Sequence, residues 1–137
     1  MPGPPPNPNA RRRNARPDWR RLPVSGRQGD PPDFPLPRPS KGVLSIWADL
    51  WTTPQAVAWE QLGWNRVVAR YAKLLLGAEK SNATAALLGE VRQMEDRLGL
   101  SPMAMKRLQW ETYDDVAADQ EQDAGVTNLD DYRDRTG

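Results

Sequence analysis

The chain contains no cysteine and no histidine. Without thiols there is no disulfide framework, no thiolate nucleophile and no cysteine zinc site; without imidazole there is no Ser/His/Asp triad and no histidine metal ligand. The commonest catalytic machinery is absent. No GxxxxGK[ST] phosphate loop occurs, so the chain has no nucleotide-hydrolysing motif of its own. Long apolar runs are missing as well: the mean hydropathy is −0.78, and no stretch reaches the roughly 18 apolar residues of a membrane span. The N-terminus has no apolar segment able to serve as a signal peptide. These absences point to a non-enzymatic protein without metal or cofactor, off the membrane and inside the cell.

What is present is unevenly distributed. Of 14 prolines in 137 residues, 12 lie in the first 42 positions. Proline fixes φ and biases its predecessor away from the helical region. Residues 1–42 are therefore expected to form a disordered or extended Pro/Arg-rich arm, in which Trp19, Leu22, Phe34 and Leu36 are isolated apolar residues able to dock on a folded surface. Charge divides the chain in the same way: nine Lys/Arg face three Asp/Glu over 1–42, eight face six over 43–110, and two face nine over 111–137. A basic arm and an acidic tail flank a nearly neutral middle.

The middle reads as helices. Leu44, Trp47 and Trp51 share a face, which predicts a helix over about 43–52. Thr53-Pro54 is a cap followed by proline at the first helical position and opens a second helix, which Gly63 bends or breaks. Trp64, Val67, Val68, Tyr71, Leu74 and Leu75 line one face of a third that runs to about Gly77. Asn82 is expected to cap a fourth, with stripe Leu87, Val91, Met94 and Leu98 and a left-handed stop at Gly99. Ser101-Pro102 opens a fifth, without a breaker until Gly125 but weakened where acidic residues crowd its C-terminal half. The expected fold is all-α: a compact bundle of four to five helices over 43–118, between the arm and an acidic tail, 119–137, that is partly disordered.

Five of the six tryptophans, Trp47, Trp51, Trp59, Trp64 and Trp110, fall in this middle segment. A core of some 76 residues is usually marginal. The five indoles are therefore candidates for an oligomer interface, where tryptophan is enriched.

Two basic groups are candidates for binding a polyanion. Arg11, Arg12, Arg13, Arg16, Arg20 and Arg21 place six guanidinium groups within 11 residues of the arm. Guanidinium matches phosphate in a bidentate fork, and an extended chain can follow a nucleic-acid backbone. Arg66, Arg70 and Lys73, at i, i+4 and i+7, make a stripe on the third helix. The acidic tail does not fit a calcium loop: Asp119, Glu121 and Asp123 have the spacing of the first three ligands, but Ala124 stands where glycine is needed and Asp130 where glutamate is needed. Leu129 and Tyr132 are isolated apolar anchors in that tail, of the kind used for docking on a partner.

Three stretches, LPVSGRQGDPPDFPLP (22–37), WADLWTTPQAVAWEQLGWNRVVARY (47–71) and ALLGEVRQMEDRLGLSPMAMKRLQW (86–110), together resemble the small terminase subunit of tailed bacteriophages, in the form common among phages of actinobacteria. The resemblance runs from about residue 11 to 111. It implies a non-enzymatic DNA-packaging factor that assembles into a ring, recognises the packaging site on viral double-stranded DNA, and recruits and regulates the large subunit holding the ATPase and nuclease, in the host cytoplasm. Many small terminases begin with a helix-turn-helix, for which the first 42 residues here are too rich in proline. A transcriptional or nucleoid-type DNA-binding module is the alternative, with a dimer expected in place of a ring.

Overall fold

A computed structural model of the chain describes Gly3 and residues 18–116. Among them the order is β1 (Arg20–Pro23), α1 (Lys41–Leu50), α2 (Pro54–Leu62), α3 (Asn65–Ala78), α4 (Ala85–Leu98), α5 (Pro102–Leu108) and β2 (Trp110–Tyr113). The acidic segment 119–137 lies outside the described residues.

Four of the five helix starts follow one rule. Ser40, Thr53, Thr84 and Ser101 each hold extended backbone and accept, through the side chain, the N–H three residues on, satisfying a donor that the helix leaves orphaned. The cap at Ser40 starts α1 two residues before the expected position, and α1 ends at Leu50. The cap of α4 is Thr84 rather than Asn82: both residue types cap well, but only Thr84 stands three residues before Leu87, whose N–H it receives. Gly63 and Gly99 close α2 and α4 in the left-handed region, φ 71° and 76°. At Gly99 a second constraint applies, since a Cβ there would lie 2.3 Å from Trp110 Cζ3.

The all-α expectation needs one correction. The fifth helix does not run on; it stops at Leu108, Gln109 takes φ 62°, and the chain continues as β2. β2 pairs in parallel with β1, Arg20 opposite Trp110 through Pro23 opposite Tyr113. Trp110 explains the stop: leaving the helix lets its ring enter the core, where it is buried 5.9 Å from the Trp64 ring. The rest is a helical bundle in which α3 packs against both α1 and α4. Among the described residues every buried side chain is aliphatic or aromatic.

Residues 18–40, the inner part of the stretch expected to be disordered or extended, are built into this core. Leu22 is fully buried, Phe34 meets Trp47 edge-on at 5.1 Å, and the Trp47 Nε1–H donates to the Pro32 carbonyl at 2.7 Å. Arg27 pairs with Glu60 and stacks 5.5 Å from the Trp51 ring. The proline-rich segment is thus a strap that covers one side of the bundle.

The strap and the residues that follow β2 are clamped together just past the sheet. Asp115 accepts from the Ser25 N–H at 3.0 Å and from the Ser25 hydroxyl. These hydrogen bonds favour the carboxylate and hold its pKa below the ordinary 3.8. A depressed carboxylate pKa contributes stability that is present above the unfolded value and lost as pH falls through the folded one. The Ser25 amide should therefore stay protected from exchange at neutral pH and lose protection below the ordinary carboxylate range, while Asp115→Asn flattens that dependence in a pH series of amide-exchange spectra.

Candidate nucleic-acid interface

α3 presents two opposite faces. Val68, Ala69, Tyr71 and Ala72 are buried, and the Tyr71 hydroxyl donates to Glu95 of α4 at 2.7 Å. Burial, the bond to Glu95 and that carboxylate's charge push the Tyr71 pKa far above its usual 10.0, so it is a fixed neutral donor. With the helix pinned this way, Arg66, Arg70 and Lys73 all point to solvent. None of the three forms an ion pair with another described residue.

Arg66 stands in the first turn of α3, which has no acidic residue and no side-chain cap. A cation near a helix N-terminus opposes the macrodipole by typically 0.3–1 kcal/mol. Its placement is not explained by the stability of α3. Two exposed cations absent from the sequence-based candidates, Arg38 and Lys41, lie where α1 begins. Gly42 there abuts the Leu76 side chain of α3, so this end of α1 adjoins the turn that follows Lys73. They are separated from Lys73 by more than 30 residues in sequence, and no local periodicity connects them.

The arm's arginines divide into two groups. Arg11, Arg12, Arg13 and Arg16 lie outside the described residues. Arg20 and Arg21 lie on β1 and already have protein partners: Arg20 donates to Gln61 at the end of α2, and Arg21 stacks 4.8 Å from the Tyr113 ring with Glu111 at 3.8 Å. Arg21 keeps 56% of its side chain exposed and can still turn one edge of its fork outward. The described residues contain no cluster of three or more acidic side chains able to hold a metal ion, and no helix among them is long and apolar enough to cross a membrane.

The tryptophans assigned to an oligomer interface are placed elsewhere. Trp47, Trp51, Trp59 and Trp110 are buried within the single chain, and only Trp64 is partly exposed. Trp47, Trp51 and Trp59 stack edge-on at 5.2 and 5.8 Å, which continues the contact from Phe34. The indoles look excessive for residues 43–118 alone. Counting the strap, they have a cover.

A family model described as phage terminase small subunit matches residues 1–137. No curated protein and no solved structure matches the chain.

Proposed function

Because the chain belongs to the phage terminase small subunit family, whose role is phage DNA packaging, we propose that it binds viral double-stranded DNA at the packaging site through the outer face of α3. The observation carrying this reading is the row of Arg66, Arg70 and Lys73, none of them in an ion pair with another described residue, on a helix whose other face is locked into the core. Exposed cations held on a rigid element are poised to replace condensed counterions on DNA. Arg11, Arg12, Arg13 and Arg16 add a second, sequence-independent contact, and Arg20 and Arg21 act mainly in fixing β1.

In this reading the protein catalyses nothing itself, needs no cofactor, and works in the host cytoplasm. It assembles into a ring that repeats the α3 stripe around an axis, and it recruits and regulates the large subunit. Native mass spectrometry combined with an ATPase assay tests the assembly side. The expected result is a symmetric oligomer of more than two subunits that, together with packaging-site DNA, stimulates the large subunit's ATPase. A dimer without effect on that ATPase would contradict the reading and favour a transcriptional regulator.

A further inference from the structure

The row of Arg66, Arg70 and Lys73 covers about 10 Å along α3, at roughly 1.5 Å of rise per residue. Duplex DNA carries one phosphate charge per roughly 1.7 Å of axis, so a duplex lying on this face runs past both ends of the row. What lies beyond each end decides its path.

The two ends differ. Before Arg66 the chain leaves α2 through Glu60, Gln61 and Leu62, the last 41% exposed. The described cations that meet this corner are engaged, Arg27 with Glu60 and Arg20 with Gln61. Past Lys73 the helix ends at Ala78, and Glu79 and Lys80 follow side by side with opposite charges. Here the start of α1 meets α3: a Cβ on Gly42 would lie 2.9 Å from Leu76 Cδ1, and Leu76 stands three residues beyond Lys73. Arg38 and Lys41 come just before that contact, and both are exposed. Neither forms an ion pair with another described residue.

Neither cation suits its local backbone. Arg38 holds φ 56°, a left-handed conformation that L-residues seldom enter, between Pro37 and Pro39. Lys41 is the first residue of α1, where a cation opposes the helix dipole. The segment is nonetheless anchored on both sides, by Phe34 against Trp47 and by Ser40, which accepts the Val43 N–H at 3.2 Å. Glycine at position 38 and an acid at position 41 would serve the fold better. Two exposed cations held there fit a ligand of opposite charge.

Resting on the reading of α3 given above, we propose that the duplex crosses from α3 onto the start of α1 in one continuous track, with Arg38 and Lys41 binding its phosphates together with Lys73. The track joins side chains of the strap, α1 and α3, so it exists only in the folded chain. Its contacts go to the DNA backbone and position the duplex without reading sequence directly.

Salt titrations of DNA affinity on the full chain test this with R38G/K41A, R38K/K41R and R66A/R70A/K73A beside the wild type. R38G/K41A should flatten the slope of log affinity against log salt by about 1.8, two phosphate contacts at about 0.9 each. Its melting temperature should stay level or rise, because glycine accepts the left-handed backbone. R38K/K41R keeps both charges and should keep the wild-type slope. A wild-type slope in R38G/K41A beside a flattened one in R66A/R70A/K73A would overturn the proposal and leave the α3 reading standing. Affinity lost in R38G/K41A at an unchanged slope would mark a role in the fold alone and overturn it too. An unchanged slope in R66A/R70A/K73A would remove the α3 reading and the continuous track with it.

Discussion

Replacing Trp51 by alanine is expected to destabilise the folded chain by about 3–5 kcal/mol, the range for deleting a large buried aromatic side chain, with a melting temperature that does not depend on protein concentration. Trp51 is 1% exposed within the single chain and lies between Trp47 and Trp59 in the edge-on stack, under the Arg27 guanidinium. Its removal leaves a cavity that neither the helices nor the strap can fill. Trp59→Ala belongs in the same range, and the phenylalanine variants separate packing from hydrogen bonding. Trp59 Nε1–H donates to the Leu98 carbonyl at 2.9 Å, whereas the buried Trp51 Nε1–H has no acceptor among the described residues. Trp59→Phe leaves a buried carbonyl short of a partner, which costs about 1–3 kcal/mol, while Trp51→Phe removes an unsatisfied donor and should be the milder change. Denaturant titrations at two protein concentrations check both points. A midpoint that rises with concentration would place these indoles between subunits.

The helices were legible because their signals are local. Thr53-Pro54, Ser101-Pro102, Gly63 and Gly99 each mark a boundary within a few residues, and all four act where the pattern places them. The sheet was not legible, since Arg20 and Trp110 pair across 90 positions and strands this short carry almost no periodic signal. The end of α5 was hidden for a related reason. Gln109 is neither glycine nor asparagine, and its left-handed backbone follows from where Trp110 must go. Burial of the indoles depended on a second non-local fact, the strap that covers Trp47 and Trp51. On the candidate interface, the spacing of Arg66, Arg70 and Lys73 is a helix period and reads directly from the sequence. The engagement of Arg20 by Gln61 is a tertiary contact and does not.

The second large effect is expected on α3. Arg66, Arg70 and Lys73 are exposed on the side away from the buried Val68, Ala69, Tyr71 and Ala72, so changing them removes charge without opening the core. Charge reversal at Arg70 should weaken DNA binding while leaving both the melting temperature and the subunit number in place. Surface substitutions away from special features usually stay within about 0.5 kcal/mol of wild type. Loss of the oligomer in that variant would instead place the stripe between subunits. Neutralising all three residues should weaken binding to unrelated duplexes to a similar degree, because backbone contacts carry no sequence information directly.

The most direct measurement is the salt dependence of DNA affinity for the wild type and for the R66A/R70A/K73A variant. Each phosphate contact contributes about −0.9 to the slope of log affinity against log salt concentration. If all three side chains reach phosphate, the variant's slope should be shallower by about 2.7, with reduced affinity at low salt. An unchanged slope and affinity would contradict the central claim and remove the outer face of α3 from DNA binding.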